Sequence, residues 1–134
     1  MAELYVKAGC DYLQVSTGIG EFKQIPHDAS LPYNAIAAMG VRMHEHFKGR
    51  VLVSAVNGLR NVDVVRYLIE NELVDTVDLA CGLLADSAFS EAILHDAPYV
   101  KCFSCPDCAF GPRHSHPCPA MKARGIKEVS PTFF

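Results

Sequence analysis

Four cysteines toward the end of the chain have the types and spacing that could do chemistry. Cys102, Cys105 and Cys108 form a C-x2-C-x2-C run, and Cys118 follows after a loop. Thiolates at such short spacing can converge on one soft metal centre, and a fourth thiolate completes the set when the chain bends back. Because iron–sulfur clusters are held by four cysteines with this kind of spacing, the run predicts an iron–sulfur cluster.

Zinc is the alternative metal for the same cysteines. Zinc also accepts four thiolates, but it more often uses two separated C-x2-C pairs than a compact triplet with a distant fourth ligand. His114 and His116 lie between Cys108 and Cys118, so three cysteines and one histidine form a further candidate set for zinc. The residues alone favour the iron–sulfur cluster, and a zinc site and cysteines without a metal stay open as alternatives.

Three short turns are candidate phosphate-binding positions. They are Ser16-Thr17-Gly18, Asn57-Gly58-Leu59 and Ala80-Cys81-Gly82, and each follows a predicted strand. Glycine lets backbone N–H groups approach a phosphate, and ligands of parallel β/α folds bind beyond the carboxyl ends of the strands. A tight turn that happens to need glycine is the favoured explanation of each one taken alone, so no single turn identifies a ligand.

Alternating strands and helices are predicted to position these residues. The predicted strands are residues 11–16, 51–56 and 76–80. The second of them is an apolar run that suits a strand buried on both faces. Apolar residues at helical spacing predict a helix that stops at Gly49, a second helix that begins after the N-cap Asn61, and a short helix at 87–94. From Asp96 onward the regular pattern fades.

The order strand, helix, strand, helix, strand predicts parallel strands joined by right-handed crossovers. The chain then forms either a small doubly wound sheet or part of a (β/α) barrel. A full barrel needs eight strands and about 250 residues, whereas this chain has 134 residues. A barrel interpretation therefore implies a piece of a barrel.

Composition and charge argue against several classes of function. The formal net charge is -3 and the pI is near 6.0, which gives no basis for nucleic acid or an anionic membrane as partner. No apolar run approaches a membrane span, and the first residues lack the features of a signal peptide. We therefore expect a cytoplasmic protein, and in that compartment clustered cysteines are more often metal ligands or catalytic groups than disulfides.

Five stretches of the chain resemble the C-terminal part of the flavin-binding barrel in the NADH:flavin oxidoreductase (old yellow enzyme) family. The similar branch is the iron–sulfur one, which includes 2,4-dienoyl-CoA reductase and trimethylamine dehydrogenase. Residues 8–16, 51–59 and 74–80 resemble the sixth, seventh and eighth strands of that barrel. Gly-Leu-Leu-Ala-Asp at 82–86 resembles the stretch that follows the eighth strand, and residues 102–120 resemble the cluster motif.

The resemblance implies an α/β fold, a partial TIM (β/α)8 barrel of about strands 6–8 with a C-terminal cysteine-rich cluster-binding segment. Residues 1–95 would be the C-terminal portion of the FMN-binding barrel, and residues 96–134 the iron–sulfur segment and its tail. The residues that it assigns to the FMN phosphate are Asn57, Gly58, Ala80 and Cys81. The ligands that it assigns to a [4Fe–4S] cluster are Cys102, Cys105, Cys108 and Cys118. It also implies NAD(P)H as a cosubstrate.

The chain departs from the family at two of these positions. The family usually has arginine where this chain has Cys81, and a neutral thiol lacks the fork of donors that arginine offers to a phosphate. Asn57 stands where glycine is usual. The resemblance begins at the sixth strand, so the family's catalytic acid has no counterpart here and no catalytic residue is assigned.

The resemblance therefore predicts a portion of an FMN-dependent oxidoreductase that passes hydride or electrons through flavin to a small-molecule substrate. The expected partner is an N-terminal barrel half, or a second copy of the chain joined through open strand edges. One alternative is a non-enzymatic metal-binding module, with an iron–sulfur cluster or zinc, that has lost flavin binding. Cys81 favours this module, and an inactive truncated product is the other alternative.

Overall fold

The described part of the chain divides into two compact units. In the computed structural model, the described residues are 1–16, 26–106, 108 and 118–125. The two units are Met1–Ala80, here called unit 1, and Cys81–Phe134, here called unit 2. The predicted glycine-rich turn at 17–20, His114 and His116 lie outside the described residues. The functional division predicted at 1–95 and 96–134 stays a prediction.

Unit 1 alternates helices and strands. Its elements are α1 (Ala2–Lys7), β1 (Tyr12–Val15), α2 (Ala35–Phe47), β2 (Leu52–Val56), α3 (Val62–Glu70) and β3 (Thr76–Asp78). The strands and the helices α2 and α3 confirm the predicted elements, whereas α1 is not among them. Asn61 caps α3 as predicted, because its side-chain oxygen accepts a hydrogen bond from the N–H of Asp63 at 3.1 Å.

The three strands form an open, parallel sheet in the order β1-β2-β3. Gln14 pairs with Ser54, and Ser54 pairs with Thr76. Each crossover moves to the next strand in the same direction, and crossovers of the usual right-handed sense put both connecting helices on one face of such a sheet. The predicted α/β fold with parallel strands is confirmed, and the assignment of these strands to a larger barrel stays a prediction.

The apolar core of unit 1 lies between α2 and one face of the sheet. One cluster of buried residues in this core consists of Val15, Phe47, Val51 and Val53. Met39 and Met43 of α2 pack against this cluster. Gly40 lets the helix approach the sheet closely, since a Cβ at this position would lie 3.1 Å from the Cβ of Ala55. Burial of this apolar surface is the main force that holds α2 on the sheet.

The opposite face of the sheet carries polar side chains, because successive residues of a strand point to opposite faces. The side-chain amide of Gln14 donates to Asp78 Oδ2 at 3.0 Å, and the hydroxyl of the fully buried Ser54 donates to the same oxygen. Leu52, on this face, is 53% exposed. The prediction that β2 is apolar and buried on both faces is therefore wrong at its start, although residues 53–55 are buried.

Unit 2 is built from short helices in the residues that the structure describes. These are α4 (Cys81–Ala85), α5 (Phe89–His95) and α6 (Pro119–Ala123). Helix α5 confirms the predicted short helix, and α4 and α6 are not among the predicted elements. Phe89 is fully buried, and its ring packs against Tyr99 with 5.4 Å between the ring centroids. Across the described residues of both units, no helix is long and apolar enough to span a membrane.

Candidate functional site

The four cysteines predicted as metal ligands lie on irregular backbone and at the start of a helix. Cys102 and Cys105 are half-buried in a stretch without helix or strand, and Cys108 is exposed. Cys118 is the N-cap of α6, and Pro119 follows in the first turn, where its missing N–H removes no helical hydrogen bond. Three of the predicted ligands therefore lie outside helices and strands, and the fourth lies at a helix terminus.

The donor chemistry of these cysteines fits a soft metal centre. None of the four forms a disulfide, so each sulfur can serve as a thiolate, the ligand that iron–sulfur clusters and zinc share. Within the described residues, no three histidine, cysteine, aspartate or glutamate side chains are gathered closely enough to hold a metal ion. The ligand set of Cys102, Cys105, Cys108 and Cys118 stays a prediction.

Asp86 organises unit 2 through a carboxylate that is fully shielded from solvent. Its Oδ1 accepts a hydrogen bond from the N–H of Ala88 at 2.9 Å, and its Oδ2 accepts one from the N–H of Val100 at 2.8 Å. The Nε of Arg124 lies 3.2 Å from the same Oδ2. Hydrogen bonds to an ionised group are among the strong ones in proteins. One carboxylate thus joins three places in unit 2. They are Ala88 before α5, Val100 before the cysteines, and Arg124, which directly follows α6.

The sequence motif at 82–86 ends at Asp86, but this role of the residue was not predicted from it. A local signal exists, since an aspartate whose side chain bonds the backbone N–H two residues on is a common turn former. The pairing with Arg124 and Val100 has no local signal, because both residues are distant from Asp86 along the chain. Only the tertiary structure brings them together.

The turn after β2 holds Asn57 and Gly58, two of the residues predicted to bind the FMN phosphate. Both have left-handed backbone conformations, with φ of 76° and 68°. Asn34 donates from its side-chain amide to the carbonyl of Asn57 at 3.0 Å. The side-chain oxygen of Asn34 accepts from the N–H groups of Ile36 and Ala37 at 3.0 and 2.9 Å. Asn34 therefore ties this turn to the start of α2.

Gly58 is needed by the turn itself. A positive φ favours glycine because other residues meet steric strain there. A Cβ at this position would also collide with the side-chain nitrogen of Asn34. The glycine is thus explained by a tight turn and its contact with Asn34, without any phosphate.

Ala80 and Cys81 are the other two residues predicted at the phosphate. Ala80 is exposed and ends unit 1, and Cys81 is half-buried and begins α4 in unit 2. None of the four predicted side chains carries a positive charge. None of these side chains can therefore offer a phosphate the charged fork of an arginine. Of the remaining glycine turn, Thr17 and Gly18 lie outside the described residues.

Comparison of the chain with models of known protein families, with curated proteins and with solved structures gives no match. The resemblance to the NADH:flavin oxidoreductase family therefore rests on the five stretches of residues that carry it. Both the cluster ligands and the FMN contacts are predictions from those residues.

Proposed function

We propose that this chain holds a [4Fe–4S] cluster through Cys102, Cys105, Cys108 and Cys118. One observation carries the proposal: three thiols with C-x2-C-x2-C spacing and a later fourth thiol, none of them in a disulfide, occupy a single segment. When bound, such a cluster supplies electron transfer. The thiols would be drawn together as the metal binds, because metal binding and the ordering of its ligands are coupled in many small sites.

The cluster would belong to the C-terminal portion of an FMN-dependent NADH:flavin oxidoreductase barrel. Support comes from the strand order β1-β2-β3. Consecutive strands laid side by side in one direction are consistent with the winding of a (β/α) barrel, in which each strand lies beside the next along the chain. The face of the sheet with Gln14, Ser54 and Asp78 would then face the barrel interior. An N-terminal barrel half would cover it, since parallel sheets are normally covered on both faces.

This chain would bind FMN only weakly. FMN would meet backbone N–H groups at Asn57, Gly58, Ala80 and Cys81, and NAD(P)H would reduce it for a small-molecule substrate. A charge-assisted hydrogen bond from arginine to phosphate is worth about 1.5–3 kcal/mol. Because Cys81 supplies no such bond, it favours a second candidate, a metal-binding module of the same fold that has lost flavin.

Metal analysis tests the proposed cluster directly. Protein purified without oxygen should contain iron and acid-labile sulfide in equal amounts, because a [4Fe–4S] cluster carries both. Zinc at one ion per chain with no sulfide, under conditions that preserve clusters, would contradict the cluster and leave a zinc site on the same cysteines. Protein with neither metal would contradict both.

Flavin titration separates the oxidoreductase from the metal-binding module. With an N-terminal barrel half supplied in trans, the parent chain should quench FMN fluorescence weakly. Cys81→Arg should tighten FMN binding about tenfold to a hundredfold, the affinity equivalent of one such hydrogen bond. Tight FMN binding by the parent, unchanged by Cys81→Arg, would contradict the phosphate assignment. A cluster without FMN binding in either protein would favour the module.

A further inference from the structure

We propose that Asp86 is the positioning residue of the metal centre: its carboxylate fixes both ends of the segment that carries the four cysteines, and so prepares the thiols for metal. The inference rests on the proposed metal site. It adds a residue that is not itself a ligand and that lies outside the cysteine segment.

The two ends of the cysteine segment meet at one oxygen atom. Asp86 Oδ2 accepts from the N–H of Val100 at 2.8 Å and lies 3.2 Å from the Nε of Arg124. Arg124 also donates from Nη1 to the carbonyl of Pro98 at 3.4 Å, a direct link between the two ends. The chain entering the cysteine segment and the chain leaving it are therefore held together at Asp86.

Short stretches of chain connect the residues bound by Asp86 to the outer two cysteines. Val100 precedes Cys102 by two residues, a span of about 7 Å when fully extended. Arg124 directly follows α6, and Cys118 is the N-cap of that helix. The six residue steps from Cys118 to Arg124 span about 9 Å along a helix. Both outer cysteines are thus confined to the neighbourhood of Asp86.

The buried carboxylate of Asp86 is held in a fixed position by its hydrogen-bond donors. A carboxylate withdrawn from water is stable only when donors satisfy it, and here Ala88, Val100 and Arg124 provide them from three parts of unit 2. Joining the ends of a loop in advance removes part of the entropy that the loop would lose on binding a ligand. Asp86 would therefore raise metal affinity without touching the metal.

Cobalt titration of the reduced, metal-free full chain measures this contribution. Co²⁺ reports four-thiolate binding through its sulfur-to-metal absorption. Asp86→Asn keeps the shape of the side chain but removes its charge, and it should weaken Co²⁺ binding about tenfold to a hundredfold, the usual effect of losing a group that orients metal ligands. The absorption spectrum at saturation should match that of the parent, because the same four thiolates bind.

Glu91→Gln is the matched control. It removes a carboxylate from the same unit, one that is 64% exposed and lies 3.9 Å from His95. Its Co²⁺ affinity should equal that of the parent. A merely structural role for Asp86 would lower thermal stability and leave the Co²⁺ affinity of the folded protein unchanged, which would overturn the inference while leaving the metal site intact.

Arg124→Gln is the second variant, and it provides the test if Asp86→Asn does not fold. The Arg124 side chain is 37% exposed, and its loss leaves the bonds from Ala88 and Val100 to Asp86 in place. It should weaken Co²⁺ binding severalfold, and parent-like affinity in this variant would overturn the inference. Absence of thiolate absorption in the parent would instead overturn the proposed metal site, and the role of Asp86 with it.

Discussion

Phe47 in unit 1 and Phe89 in unit 2 are both fully buried, but by different kinds of neighbours. Phe47 lies at the end of a 13-residue helix and joins valines from the sheet. Phe89 begins a 7-residue helix, and its neighbours include Gly82 of the 5-residue α4 and the ring of Tyr99. Unit 1 thus has a layered apolar core, whereas unit 2 packs short elements around one ring.

The carboxylates of the two units show the same contrast. Asp75 in unit 1 accepts from the N–H of Val53 at 2.8 Å and lies 3.4 Å from His44, and its side chain is 30% exposed. Asp86 in unit 2 is fully buried and joins three parts of the unit. Unit 1 therefore depends chiefly on apolar burial, and unit 2 on a buried charge and, by our proposal, on metal.

Loss of a cysteine should give the largest difference between the units. Cys105→Ser should remove most of the iron and sulfide, because three thiolates hold a cluster poorly. Cys10→Ser is the control in unit 1, where the thiol donates to the carbonyl of Tyr12 at 3.0 Å. Iron and sulfide analysis of protein purified without oxygen distinguishes them. Equal metal content in both variants would contradict the proposed metal site in unit 2.

Truncation of a buried and of an exposed phenylalanine should give the next largest difference, in the free energy of unfolding. Phe47→Ala should destabilise unit 1 by about 3–5 kcal/mol, since it leaves a cavity in a well-packed core. Phe103, beside the cysteines, is 54% exposed, so Phe103→Ala should change stability by less than about 0.5 kcal/mol. Chemical denaturation followed by circular dichroism measures both. Similar losses in the two variants would contradict the assignment of the apolar core to unit 1.

Glycine substitution tests how tightly short helices pack in unit 2. A Cβ at Gly82 would collide with the ring of Phe89, so Gly82→Ala should cost about 1–3 kcal/mol, as other overpacking substitutions do. Gly40→Ala is the counterpart in unit 1, where the new methyl group would lie 3.1 Å from the Cβ of Ala55. We expect the smaller loss there, and hydrogen exchange of the amides in α5 and α2 reports each effect.

The smallest expected effect is the pH dependence of the local stability of α1. Hydrogen bonds from Arg50 and then His46 lower the pKa of Glu3 from 4.5 to about 2. Because the folded-state pKa is depressed, the stabilisation is present above about pH 4.5 and is lost as pH falls through about 2. The effect should be small and sensitive to salt, since these groups are largely exposed. Amide exchange in α1 should rise over this range in the parent, and Glu3→Gln should show no such step.

Much of unit 1 follows from local patterns in the sequence. The strands at 11–16, 51–56 and 76–80 and the helix after Asn61 were all predictable, because apolar periodicity and N-caps act over a few residues. Helix α1 was not, because a 6-residue helix has too few positions to show a period. The link from Asn34 to Asn57 was also missed, since its N-cap signal is local but its contact with the turn is not.

The sequence by itself determined the parallel β/α order, the ends of the main helices and the spacing of the cysteines. Each of these depends on neighbouring residues, whose geometry the covalent chain restricts directly. Only the tertiary structure decided that one face of the sheet is polar and that Asp86 joins Val100 to Arg124. Those contacts join residues far apart in the chain, and they form because burying a polar group requires a partner wherever the fold can supply one.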